Sequence, residues 1–409
     1  MSTNIQKNQI TEGIIWRQLL LFFFPILLGT FFQQLYNTID SVIVGQFVGK
    51  EALAAVGGSS AQIVAFVVGF FTGLSSGASV TIAQFFGAKD SRSANKGLHT
   101  AYAIAAFGGL ILTVSGIILT PFLLEMMNTP ADIVADSAVY LRIYFAGIIF
   151  VLIYNMGSAI LRATGDSKRP LYYLIVCCII NIVLDVLFVI VFHMGVMGVA
   201  VATLIAQAVS AVLVTLKLMR SEGILKLSVK QIRFHGSILK MQLKLGLPTG
   251  FEAILFSITN IAIQSAVNTF GTDTTAAWSA YGKLDAIFWM VSTAFGIAIT
   301  TFVGQNYGAG KMDRVRKSTR VCLLMDFIVS AVLVVFLIAA RFLLFRLFTN
   351  DSHVIEIGCD MLVLITPWYI VYVFIEVIAG ALRGVGNVVV PVAITLLGVC
   401  VLRIAWLAA

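Results

Sequence analysis

LRATGDSKRP at residues 161–170 returns 221 residues later as LRGVGNVVVP at 382–391, with Leu161/Leu382, Arg162/Arg383, Gly165/Gly386 and Pro170/Pro391 identical. A second pair keeps the same offset. AQFFGAKD at 83–90 matches GQNYGAGK at 304–311 through Gln84/Gln305, Gly87/Gly308 and Ala88/Ala309. Pro25 and Pro248 open the first helix of each half, with a two-residue slip. The chain therefore holds two copies of one unit.

Outward from these loops the chain is apolar. Of its 409 residues 59% are hydrophobic and only 11% charged, against about 25% charged in a soluble domain. So few charges cannot cover a water-facing surface, and the natural solvent is lipid. A hydrocarbon core of about 30 Å takes about 20 apolar residues per helix. Eleven stretches qualify: 14–47, 52–85, 97–124, 134–160, 171–192, 195–219, 245–269, 277–305, 320–349, 354–381 and 388–409. The runs are too long, and alternate too little, for barrel strands. The predicted fold class is an all-α integral membrane protein.

The net charge of +8 does not point to nucleic acid, because the cations sit in alternate short loops. Lys89, Arg92 and Lys96 share one loop, and Arg162, Lys168 and Arg169 another. Lys311, Arg314, Arg316, Lys317 and Arg320 share a third, and Lys7 and Arg17 lie near the start. Intervening loops hold only Lys50, Arg142, Arg341 and Arg346. This pattern places the basic loops and the N-terminus in the cytoplasm. Both copies of each matched loop then lie on one side, so the repeat holds an even number of helices, six. Two parallel-topology six-helix repeats follow, an N-lobe (1–216) and a C-lobe (245–409), joined by a basic linker at 217–244. The sixth helix, 195–219, has its expected counterpart at 416–440, past residue 409. The last helix of the second repeat is expected to be missing, with 388–409 an eleventh helix cut short.

Ionisable residues deep in a membrane are costly and usually mark a pathway. Gln33, Tyr36, Asn37 and Asp40 recur at helical spacing and form one polar stripe. Asn181 and Asp185, four residues apart, stack on one face of CCIINIVLDVLFVI (177–190). Thr203 and Gln207 repeat that spacing on the next helix, although a helical Thr can bond its own backbone. Trp278, Tyr281, Asp285 and Trp289 form a third stripe, with Lys283 a candidate partner for Asp285. Tyr369, Tyr372 and Glu376 form a fourth, and Glu252 follows Pro248. Carboxylates beside aromatic faces suit a lipophilic cation. An interfacial aromatic belt explains Trp278 and Tyr281 equally well. Burial disfavours the charged form of a carboxyl. Such a group takes up a proton, or holds sodium with help from neutral oxygens, in competition with a cationic substrate.

No phosphate-binding GxxxxGK[ST] loop, HExxH or GxSxG motif occurs, which argues against an ATP-driven pump or an enzyme. The five cysteines lack a CxxC or metal spacing and read as packing residues. The four histidines (His99, His193, His235, His353) read as interfacial, and Gly69, Gly73, Gly77, Gly108, Gly109 and Gly116 as helix-packing sites.

The segments NTIDSVIVGQFVG (37–49), ALAAVGGSS (52–60), AQFFGAKD, ILRATGDSKRP (160–170), VGQNYGAG (303–310) and ALRGVGNVVVP (381–391) together resemble the multidrug and toxic compound extrusion (MATE) family, over nearly the whole chain. The resemblance implies a two-lobed antiporter with alternating access, driven by protons or sodium, with no other cofactor. In one branch of that family the N-lobe holds the cation. Here those positions are Asp40, Asn181, Asp185 and Thr203, which would also form the sodium site. Other branches use C-lobe acids, corresponding to Glu252 and Glu376. The expected substrate cavity comprises Gln33, Tyr36, Asn37, Glu252, Tyr281, Asp285, Tyr369, Tyr372 and Glu376. Export of small organic cations is the favoured activity, with a flippase for a lipid-linked precursor as the alternative. The expected partners are a small-molecule substrate and membrane lipid, not nucleic acid. A monomer in a bacterial inner (plasma) membrane is expected.

Overall fold

The computed structural model describes residues 9–408, so Lys7 lies outside the described residues. Among these there is no strand, and ten helices are long and apolar enough to cross a membrane. They are α1 (Ile15–Phe47), α2 (Lys50–Gly87), α3 (Ser91–Met126), α4 (Val134–Ala163), α5 (Lys168–Val191), α6 (Gly195–Met219), α7 (Gly236–Asn268), α8 (Thr272–Gly308), α9 (Met312–Ala339) and α10 (Ser352–Gly384). A shorter apolar helix, α11 (Val389–Ala405), follows. Each predicted stretch holds one of these helices. Their ends differ where a helix runs on past the apolar residues. α7 begins at Gly236, inside the predicted linker, and α9 at Met312, inside a basic loop. A helix satisfies its own backbone and does not stop at the lipid edge.

The repeat is visible in the backbone. Lys89 and Gly310, 221 residues apart, both have positive φ, 58° and 70°. Around them the same bonds close both turns. Asp90 N–H donates to Phe85 O at 3.0 Å, and Lys311 N–H to Asn306 O at 2.9 Å. Gly165 and Gly386 correspond likewise, with φ 97° and 91°. Asp166 N–H donates to Leu161 O and Asn387 N–H to Leu382 O, both at 2.9 Å. The next helix is then capped from the same place. Asp166 Oδ1 accepts from Arg169 N–H at 3.1 Å, and Asn387 Oδ1 from Val390 N–H at 3.3 Å. Two positions that require φ > 0 recur at one offset because each copy must turn between the same two helices.

Packing divides the chain within α1 and α7 and not in the linker. One unit is Leu28–Ala253; the other holds residues through Leu27 together with those from Ile254 on. Each dividing helix carries a proline just before the division, Pro25 in α1 and Pro248 in α7. A proline interrupts the helical hydrogen bonds and loosens the axis there.

In the first unit, α2 and α7 approach through glycine. A Cβ added to Gly73 would strike the backbone of Thr249 and Gly250, and one added to Gly77 that of Gln242 and Gly246. In return, Gly246 faces Leu74 O at 2.8 Å and Gly250 faces Phe70 O at 2.7 Å. Glycines four apart on both helices make this seam, as membrane helices often do. The loop before α7 is pinned to α3. Asn95 Nδ2 donates to Ile224 O and Lys226 O, and the ring of buried His99 accepts from Ser228 N–H at 3.0 Å. His99 is thus a structural anchor and not a loose interfacial residue.

In the second unit, Phe23 stacks on Phe295 at 4.0 Å and Phe288 on Tyr369 at 4.0 Å. Arg314 donates to the carbonyls of Ile10 and Gly13, both at 2.8 Å, holding the start of the chain onto α9. All five cysteines are free and buried.

Candidate ion-coupling and substrate site

α1, α5 and α6 bring four polar side chains together in the first unit. Asp40 is 8% exposed, Asn181 1%, Asp185 0% and Thr203 5%. The carboxyl of Asp40 faces Asp185, Thr203 and Asn181. Within this cluster Asp40 Oδ1, both Asp185 oxygens, Thr203 Oγ1 and both amide atoms of Asn181 make no hydrogen bond. Buried polar groups are normally paired. Two carboxylates with unused lone pairs and two neutral oxygen donors beside them make a site that a cation would complete. The donor set suits either a proton bridging two carboxyls or a small hard ion such as sodium. A single π turn, Val186–Val191, begins immediately after Asp185. Such turns are frequent at functional sites.

Tyrosines line the cluster. Tyr36 lies beside Asp40, and Tyr140 of α4 is close to both Asp40 and Asp185. Tyr140 stacks on Tyr144 at 6.2 Å, and Tyr144 reaches Gln207. The sequence reading passed over Tyr140 and Tyr144. Their spacing of four on α4 was the available signal. Gln33 and Asn37 are exposed on α1, and Glu252, half-buried on α7, belongs to this same unit.

In the second unit the α8 and α10 stripes join. Tyr281 and Tyr369 hydroxyls are 2.6 Å apart, and the Tyr369 hydroxyl donates to Asp285 Oδ1 in a very short bond. Trp289 Nε1 donates to Asp285 Oδ2 at 2.7 Å. Asp285 therefore takes its partners from Tyr369 and Trp289, while Lys283 is exposed. Tyr372 donates to Glu376 Oε2 at 3.4 Å, and Arg383 Nη1 stands 3.6 Å from Glu376 Oε1. The loop-edge Arg383 thus reaches back two turns to a membrane acid. Asp285 and Glu376 are both engaged, in contrast to Asp40 and Asp185. One further acid, Asp326 of α9, went unread in the sequence. It is fully buried and accepts from Ser330 at 3.1 Å. Its signal was the one that marked Asn181 and Asp185, a polar pair four apart inside an apolar run.

Two helical repeats crossing a lipid layer, with buried acids and no enzyme motif, define a secondary transporter. Comparison with known proteins agrees. The family model described as MatE matches residues 25–187 and again 248–407, once in each repeat. A Bacillus subtilis protein named "Probable multidrug resistance protein YoeA" is 30% identical over 393 residues, covering 94% of this chain and 84% of that protein. A Thermotoga maritima protein named "Probable multidrug resistance protein NorM" is 27% identical over 412 aligned positions, covering 98% and 86%. A solved structure described as an outward-facing conformation of a multidrug resistance MATE family transporter superposes with TM-score 0.92 at 22% identity, over 100% of this chain and 91% of that one. The chain belongs to the multidrug and toxic compound extrusion family and is a multi-pass membrane transporter, not an enzyme.

Proposed function

We propose that this chain is a secondary antiporter that exports small organic compounds, cationic or lipophilic, in exchange for protons or sodium. Asp40, Asn181, Asp185 and Thr203 bind the coupling cation. The observation that carries this reading is the unpartnered, buried oxygen set of those four residues. A charged carboxyl in such a place needs a counter-ion. The acids of the other unit already hold donors, so the coupling site is assigned to the N-lobe. The halves 1–216 and 245–409 act as the two lobes.

Substrate is received on two faces. Gln33, Tyr36, Asn37 and Glu252 form one, and Tyr281, Asp285, Tyr369, Tyr372 and Glu376 the other. Aromatic rings over carboxylates attract a lipophilic cation by cation–π and charge terms together. Cation binding draws Asp40 of α1 toward α5 and α6, and this change in α1 releases substrate. The named relatives, described as multidrug resistance proteins, support the substrate class. The protein works as a monomer in a bacterial plasma membrane, with its N-terminus in the cytoplasm.

The test is efflux of a fluorescent lipophilic cation from proteoliposomes under an imposed pH or sodium gradient. Gradient-driven efflux in wild type, lost in Asp40→Asn, is expected. Efflux that survives Asp40→Asn but fails in Glu252→Gln moves the coupling site. Absence of gradient-driven movement for every cation tried overturns the reading.

A further inference from the structure

Asp326 sits midway along α9 with 0% exposure. Its Oδ1 accepts from Ser330 Oγ one turn on, and Oδ2 has no hydrogen-bond partner. The group acting on it electrostatically is a second acid, Glu376 of α10. The positive charge in this neighbourhood, Arg383, stands on Glu376 at 3.6 Å. The α8 backbone packs directly on the Glu376 carboxyl, because a Cβ added to Gly296 would strike its Oε1. The remaining surroundings add no counter-charge. α8 has no ionisable residue between Phe288 and Thr300, and Glu356 and Asp360 at the start of α10 are exposed. Tyr372 is a neutral donor to Glu376, and Cys322 lies one turn below Asp326 on its own helix. Two acids and one guanidinium therefore share a dry pocket. Arg383 balances one carboxylate, and the other cannot stay charged without a cation.

We infer that Asp326, Glu376 and Arg383 hold a second transported proton, bound on Oδ2 of Asp326. The proton leaves Asp326 for Glu376 as Arg383 turns from Glu376 to Asp326. One O–H bond breaks and one forms, and the cluster's charge is unchanged. Sodium fits less well, because the neutral oxygen shown on Asp326 is the single Ser330 hydroxyl and sodium takes several. As a part of coupling, this rests on the antiport reading; as a protonated carboxyl it does not.

The test reads the proton directly. Infrared spectra of the full chain in lipid nanodiscs at neutral pH contain a carboxylic acid C=O band. Asp326→Asn is expected to remove one such band, while Asp40→Asn leaves that band in place. Asp326→Glu keeps a band at a shifted frequency, and Ser330→Ala shifts the band without abolishing it, so the assignment survives poor folding of the Asn variant. A wild-type spectrum unchanged by both Asp326 substitutions overturns the inference. So does loss of the wild-type band on adding sodium alone. Because no transport is measured, failure here is separate from failure of the efflux test.

Discussion

Asp40 and Asp185 carry the strongest functional expectation because their oxygens are buried and unused. Thr203→Ala deletes one neutral oxygen and leaves both acids. It should weaken the coupling cation by roughly tenfold, the size of one hydrogen bond to a charged group, read as the ion concentration for half-maximal efflux. Asp185→Asn should abolish coupling as Asp40→Asn does. Tyr369 is a contrasting case. Its hydroxyl serves Asp285 and Tyr281 at once. Tyr369→Phe leaves both without that partner and should cost about 1–3 kcal/mol, seen as a lower Tm in detergent. Asp40, Asn181 and Asp185 were legible because a polar residue in an apolar run is conspicuous. That Asp285 is satisfied by Tyr369 was not, since nothing local joins two residues 84 positions apart.

Helices explain why some glycines matter and others do not. Gly73 and Gly77 meet α7 backbone directly, so Gly73→Val forces the α2–α7 seam apart. Overpacking of that kind costs about 1–3 kcal/mol, and the variant should elute as aggregate on size exclusion. Gly69 is the internal control. A Cβ there meets Ala253 Cβ at 3.6 Å, an ordinary contact, and Gly69→Ala should purify like wild type. The sequence showed all three glycines on one helix and could not rank them, because rank depends on what faces each. At the repeated turns, Gly165→Ala and Gly386→Ala should each cost about 1–2 kcal/mol, and near-equal losses of Tm would confirm that both copies turn alike.

For the molecule as a whole, the basic segment before α7 is fastened through His235 as well as His99. Thr100 Oγ1 lies 3.1 Å from His235 Nδ1, and Arg233 Nε donates to His235 Nε2 at 3.3 Å. Accepting that bond requires a neutral ring. Burial, then Arg233 and Lys96, hold the His235 pKa below its ordinary value. A lowered folded-state pKa gives stability that is present above the ordinary value of about 6.5 and is lost as pH falls through and below it. Hydrogen exchange in residues 224–235, corrected for intrinsic rates, should therefore quicken between pH about 7.5 and about 5.5. His235→Gln should remove that dependence. Exchange equally protected at both pH values would contradict it.

By itself the sequence determined that this chain lives in lipid, how many apolar helices it forms, and that it repeats at an offset of 221 residues. Those properties are local or periodic. Twenty apolar residues make a membrane helix wherever they lie, and a turn needing φ > 0 shows itself as a glycine in the same place twice. Only the tertiary structure decided that the packing units divide inside α1 and α7. It also decided that Asp285 and Glu376 are engaged while Asp40, Asp185 and one oxygen of Asp326 are not. Whether a buried carboxyl is satisfied depends on atoms within 3.5 Å, and in a helical bundle many of those atoms belong to helices remote in sequence.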